Sequence, residues 1–288
     1  MHNLSRAGTY ARWLVAVPLL SALAGCSVVD ALGLQKPGAK VVGVGLEGID
    51  LTAATLRFDV EVSNPYSAPL PLVNLDYGLA SKGKAFLSGK ADLQGTVPAG
   101  GKKTFSLPAK VTYKDLLAAL SGVRPGSVVP YEADLGLSVN APVAGPLRLP
   151  LKKKGQLPVP AAPDVSIEEI RWDDLTLSKA GGTIKLRVAN RNQFPVELAK
   201  LAYGLNLADV KVAETAVAKP LSFAADGGAQ TLEIPISLSP SQLGLAAWNV
   251  LSGKGADYKL VGAMDVKTPF GPMNLPIAKI GRTVFKRK

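Results

Sequence analysis

The chain has 288 residues, 47% of them hydrophobic and 19% charged, which is enough apolar side chain for a sizeable core and excludes wholesale disorder. Its formal net charge is +11, but the basic residues are scattered and aromatics make up only 6% of the chain, so the basic face with interleaved aromatics that a nucleic-acid partner needs is missing. The single cysteine, Cys26, excludes a disulfide within the chain.

The first element is a leader. Arg6 and Arg12 supply a positive n-region, and Trp13 to Leu23 supply an apolar run. The run falls within the roughly 7–15 residues of a secretory signal and short of the roughly 20 that a membrane-spanning helix needs. It ends in Leu23-Ala24-Gly25-Cys26, which resembles the lipobox of bacterial lipoproteins. The resemblance implies a signal peptide over residues 1–25, cleavage after Gly25, and acylation of Cys26, palmitate included, on its sulfur and its new amine. It also implies a lipid-anchored protein of the cell envelope. Ser27, rather than Asp, points by analogy with lipoprotein sorting to an outer membrane, facing the periplasm in a Gram-negative cell. Residues 26–38 then form a lipidated tether.

Loss of residues 1–25 leaves 263 residues, room for two ordinary domains, and removes His2, the only histidine. Without imidazole or a free thiol the mature chain lacks Ser-His-Asp and Cys-His catalysis and His/Cys sites for zinc or copper. No calcium loop, phosphate-binding glycine loop or dinucleotide fingerprint occurs. The expectation is no catalytic residue, no metal and no cofactor.

The first unit spans residues 39–155. Leu56, Phe58, Val60 and Val62 alternate with Arg57, Asp59, Glu61 and Ser63, the period of a half-buried strand. Further strands are read at 72–79, 103–107, 131–139 and 147–151. Thr112-x-x-Asp115 predicts a capped helix carrying Leu116, Leu117 and Leu120, closed by Gly122. The Lys152-Lys153-Lys154 run reads as solvated surface.

Residues 156–163, following Gly155, contain three prolines and predict an extended, semi-rigid linker. The second unit spans residues 164–288 and repeats the first at an offset of 126. Asn64, Pro69, Leu72, Leu75, Tyr77, Gly78 and Leu79 return as Asn190, Pro195, Leu198, Leu201, Tyr203, Gly204 and Leu205. Each unit is far longer than a solenoid repeat and so reads as a domain. Strands are expected at 184–188, 198–205, 231–236, 258–266 and 273–277. Ser239-Pro240-Ser241-Gln242 predicts a second capped helix ending at Gly253, with Trp248 in core or rim. The adjacent acids Glu168-Glu169 and Asp173-Asp174 make poor catalytic dyads, because neighbours on a strand point to opposite faces.

Asn64-Pro65-Tyr66 and Asn190-Arg191-Asn192, each ending a strand ahead of a Tyr-Gly-Leu strand, look like two partial versions of an Asn-Pro-Asn motif. They resemble the water-stress-and-hypersensitive-response (WHy) domain that defines the type 2 late embryogenesis abundant proteins. Tyr66 and Arg191 depart from the motif. The resemblance implies a mainly β chain of two tandem antiparallel sandwiches (immunoglobulin or fibronectin III-like), each of about seven strands with one short helix. It also implies a non-enzymatic binding or protective role in desiccation or related stress. The residues themselves give the asparagines a structural part, holding turns at strand ends. Tyr77 and Tyr203 read as core-facing with satisfied hydroxyls.

The expected partners are the membrane, through the lipid anchor, and an envelope protein or lipid; nucleic acid is not expected. The alternative to a protective role is an envelope assembly or ligand-binding lipoprotein. It would recognise a peptide, glycan or lipid through its sandwich edges.

Overall fold

A computed structural model describes residues 35–142, 144–176, 180–207, 210–217, 220–238, 256–283 and 285–287. Leu23, Ala24, Gly25 and Cys26 lie outside the described residues, as does the helix expected from Ser239 to Gly253 with Trp248. Among the described residues no helix is long and apolar enough to cross a membrane.

Both repeats lay down the same strands in the same order. In the first, β1 (Gly38–Ile49), β2 (Ala53–Ser63) and β6 (Lys102–Thr112) form one sheet in the order β1-β2-β6. The facing sheet runs β4 (Lys84–Asp92), β3 (Leu70–Ser81), β7 (Val128–Ala141), β8 (Gly145–Pro158), with β5 (Thr96–Val97) paired to β3. In the second repeat β9 (Asp164–Leu175), β10 (Ala180–Ala189) and β14 (Ala229–Leu238) match the first of these sheets. The order β12 (Val210–Val217), β11 (Val196–Leu207), β15 (Ala256–Thr268), β16 (Gly271–Thr283), with β13 (Leu221–Phe223) on β11, matches the other. Among the described residues all pairings are antiparallel save one: β17 (Phe285–Arg287) adds in parallel to the edge of β9 away from β10.

The alternation read in the sequence faces a core between the two sheets of each repeat. Leu56, Phe58, Val60 and Val62 on β2 pack with Leu75 and Leu79 on β3 and Leu135 and Leu137 on β7. The Phe58 and Tyr131 rings meet edge to face across that core, 6.4 Å between centroids. In the second repeat Ile184, Leu186 and Val188 on β10 do the same with Leu205 on β11 and Leu260 and Met264 on β15. Each such side chain, fully buried, stabilises by roughly 1.5–3 kcal/mol. Tyr131 on β7 lies against Gly155 directly opposite on β8, and Tyr258 repeats this over Gly281. The glycines leave the cross-strand space that the rings occupy.

The β1–β2 turn is built by Asp50. Its Oδ1 accepts from the Thr52 hydroxyl and backbone N–H, both at 2.6 Å, and from the Ala53 N–H at 2.9 Å. The Thr52 hydroxyl, then these N–H groups, hold the Asp50 carboxyl below the usual carboxylate range.

The helix of the first repeat, α1 (Tyr113–Ala119), follows β6 and buries Tyr113, Leu116 and Leu120, while Leu117 is half-buried. Its start differs from the expected capping box. The Thr112 hydroxyl donates to the Asp115 carboxylate and caps no backbone N–H. The Tyr113 hydroxyl is buried without a hydrogen-bond partner among the described residues, and burial raises its pKa well above the ordinary tyrosine value.

The strands absent from the sequence reading are mostly edges. β1 carries Gly43, Gly45 and Gly48 and two register shifts, which break its period of two. On β9 a bulge at Glu168 turns that residue and Glu169 to one face: Glu169 pairs with Lys185 at 3.3 Å and Glu168 accepts from Thr231 at 3.2 Å. The adjacent acids are therefore not on opposite faces as alternation requires, yet both are engaged in cross-strand pairs.

Candidate functional site

Among the described residues four polar side chains are buried: Asn64, Ser81, Asn190 and Asn192. Three belong to the asparagine motif, so these loops are where buried polarity concentrates.

Asn64 follows β2. Its Nδ2 donates to the carbonyls of Ala68 (2.9 Å), Val97 (3.1 Å) and Pro98 (3.0 Å), and its Oδ1 accepts from the Tyr66 N–H at 3.0 Å. One side chain thus joins the β2–β3 loop to the β5–β6 turn, where the Asn64 N–H donates to the Gly101 carbonyl at 2.9 Å. Pro65, which donates no hydrogen bond itself, begins the turn out of the sheet.

Asn190 repeats this role after β10, donating to the Phe194 (2.8 Å) and Ala224 (3.0 Å) carbonyls. Its Oδ1 accepts from both the backbone N–H (3.0 Å) and the Nδ2 (2.9 Å) of Asn192. Asn192 does something the sequence did not disclose. Its Oδ1 accepts from the Ala161 N–H at 2.8 Å and its Nδ2 donates to the Ala161 carbonyl at 3.3 Å. A side-chain amide here plays the part of a peptide in a two-way pairing.

That pairing fixes the stretch read as a linker. Residues 156–158 complete β8, and Leu157, Val159 and Ala161 are buried. The Val159 N–H donates to the Ser127 carbonyl at 2.9 Å and its carbonyl accepts from the Gly126 N–H at 2.6 Å. The Gly126 carbonyl in turn accepts from the Gln193 N–H at 2.8 Å, and Gln193 Oε1 accepts from the Val128 N–H at 3.0 Å. Three segments, the loop before β7, residues 157–161 and residues 191–193, therefore form one hydrogen-bonded seam. Ile49, Leu51 and Val128 of the first repeat pack on the core of the second. Proline content marked this stretch as extended and said nothing of its burial.

Tyr66 stands where the second copy has Asn192. It is half-buried against the first core, its hydroxyl without a hydrogen-bond partner among the described residues. Tyr203 is buried, and its hydroxyl too has no hydrogen-bond partner among the described residues, against the expectation of a satisfied one. Among the described residues no three His, Cys, Asp or Glu side chains cluster as a metal site would need.

The outer faces of the two repeats differ. In the first, β3, β7 and β8 carry Arg148 bonded to Asp76, Lys152 at 3.3 Å from Asp134 and Lys154 at 2.7 Å from Glu132. The Arg148 guanidinium holds the Asp76 carboxyl below its ordinary range. In the second, Val261 and Ile280 occupy the places of Asp134 and Lys154, and they are 50% and 75% exposed.

The sequence model of the family described as late embryogenesis abundant protein matches residues 59–155 and 185–281. The chain belongs to the late embryogenesis abundant (LEA) type 2 family. Its two LEA type 2 copies are offset by the same 126 residues that separate Asn64 from Asn190. The chain is 32% identical over 132 residues to the desiccation protectant protein Lea14 homolog of Glycine max, 46% of this chain and 87% of that one. It is 30% identical over 139 residues to the late embryogenesis abundant protein Lea14-A of Gossypium hirsutum, 48% of this chain and 92% of that one. The solution structure of an Arabidopsis thaliana LEA protein aligns at 25% identity and a TM-score of 0.39, covering 46% of this chain and 76% of that one.

Proposed function

We propose that this tandem LEA type 2 protein is held at the cell envelope by lipid on Cys26 and acts there without catalysis, binding or shielding envelope components during desiccation or related stress. The observation that carries the stress role is the match of both repeats to one family, with relatives named as desiccation protectants. The anchor rests on Leu23-Ala24-Gly25-Cys26 behind an apolar run. Stable attachment needs more than one acyl chain, which acylation of both sulfur and amine supplies.

The test is to replace Cys26 with Ser and fractionate cells. The anchored reading expects the variant to leave the membrane fraction and to lose the mass of the lipid; unchanged partition and mass refute it. Cells lacking the protein are then dried and rehydrated, and survival equal to wild type refutes the protective role.

The exposed Val261 and Ile280 favour a second reading, in which the second repeat assembles with an envelope protein through the outer face of β15 and β16. In that case Ile280→Asp releases a stoichiometric partner from the purified complex, while Lys154→Asp on the matching face of the first repeat does not.

A further inference from the structure

The fourth buried polar residue, Ser81, is unlike the three asparagines. It is 5% exposed, and its hydroxyl has no hydrogen-bond partner among the described residues. It lines a cavity of about 420 Å³ at the end of β3, walled also by Leu120 beyond α1, by Val128 and Val129 of β7 and by Gln193 of the second repeat. That volume lies within the roughly 300–1,000 Å³ of small-molecule sites.

The duplication supplies an internal reference. Ser81 corresponds to Leu207, which is 0% exposed, and Lys84 corresponds to Val210. Where the second repeat fills its core with a leucine, the first spends the same position on an unpaired hydroxyl and keeps a void. The Ser81 hydroxyl is not among the fully buried unpartnered atoms of the described residues; it opens into the cavity and is available to bond what occupies it.

Charge narrows the chemistry. Lys82 and Lys84 line the same cavity, and neither pairs with a carboxylate among the described residues. Lys82 and Gly83 hold φ of +48° and +78° in the two-residue β3–β4 turn, a conformation in which asparagine and glycine are the usual pair. Among the described residues no acidic side chain lines the cavity. Two cations and serine hydroxyls in one lining with leucine and valine suit a molecule with an anionic head and an apolar body.

We infer that the cavity between the β3–β4 turn, the end of α1 and Gln193 binds a small amphiphilic anion, one phosphate or carboxylate group on a short hydrocarbon body. The head group takes hydrogen bonds from Ser81 and charge from Lys82 and Lys84; the body lies on Leu120, Val128 and Val129.

Titration calorimetry on the full chain tests this with octyl phosphate, octyl glucoside and inorganic phosphate, all below micelle-forming concentration. The site expects octyl phosphate to bind one to one and at least tenfold tighter than either of the others. Lys82→Gln with Lys84→Gln, two exposed changes that leave the core intact, lowers that affinity at least tenfold. Ser81→Leu, which restores the second repeat's residue, abolishes it while thermal denaturation shows the chain still folded. Equal binding of octyl glucoside removes the anion from the proposal, and equal binding of inorganic phosphate removes the apolar wall; either overturns it. So does octyl phosphate binding that both variants retain, or no octyl phosphate binding at all. If the anion is a soluble metabolite rather than a lipid, glycerol phosphate competes with octyl phosphate at matched concentration; if it is a lipid, only alkyl chains of rising length do.

Discussion

Asn192 and Ala161 are hydrogen-bonded to each other in both directions, at 2.8 Å and 3.3 Å, within a buried contact. Removing the amide by Asn192→Ala leaves the Ala161 N–H and carbonyl unpaired and takes one of two donors away from the Asn190 Oδ1, the backbone N–H of residue 192 remaining. Each of the two stranded groups costs about 1–3 kcal/mol, so a loss of about 2–6 kcal/mol in urea-denaturation stability is expected. Asn192→Asp, which keeps the shape but sets an oxygen against the Ala161 carbonyl, is no better tolerated.

Gly126 carries the seam from the other side. Its φ is +96°, and a Cβ added there would run into the carbonyl oxygen of Arg191. Gly126→Ala meets both the roughly 1–2 kcal/mol left-handed penalty and a collision with backbone that cannot swing away. Gly145→Ala, with φ +70° but nothing within 4 Å, meets only the first. Thermal denaturation of the two variants separates them, with Gly126→Ala the less stable.

The central strands of this fold were legible because they are flanked on both edges and packed on one face. β2, β3, β7, β10, β11 and β15 must alternate apolar and polar residues, and they do. β4, with its lysines and Gly89, makes one pairing and needs no such pattern, so nothing in it announces a strand. The same logic governs the site. Asn64 and Asn190 declared themselves by residue type at strand ends. The partner of Asn192 did not, because a backbone amide in Ala161 leaves no mark on the sequence. Ser81 sat in an alternating strand at a core position; the offset of 126 sets it over Leu207, but the cavity beside it shows only in three dimensions.

Tyr131 and Gly155 give a packing test. A Cβ at Gly155 would lie 2.5 Å from the Tyr131 Oη and 2.6 Å from its Cζ, and the ring is 3% exposed. Gly155→Ala displaces that ring and its edge contact with Phe58, costing about 1–3 kcal/mol as overpacking does. Gly78→Ala in the same sheet meets nothing within 4 Å and is expected to hold or slightly raise the denaturation midpoint.

Stability should also respond to pH through the β1–β2 turn. Asp50 has its folded pKa held down by the Thr52 hydroxyl and by backbone N–H groups. Its contribution is therefore complete above the unfolded value of about 3.9 and drains away as pH falls through the lower, folded value. Urea midpoints of wild type and Asp50→Asn measured from pH 6 to pH 2 should differ most at the upper end and converge at the lower. A constant gap would mean that the turn does not depend on the charge.

Strand β8 does not stop where the first repeat's sheet ends; its continuation is bonded to Ser127 and Gly126, then clasped by Asn192. The two copies are in this way joined by a buried, hydrogen-bonded segment rather than by a free spacer. Damage at Gly126 or Ala161 is felt by both copies at once, and calorimetry should register their melting as one peak.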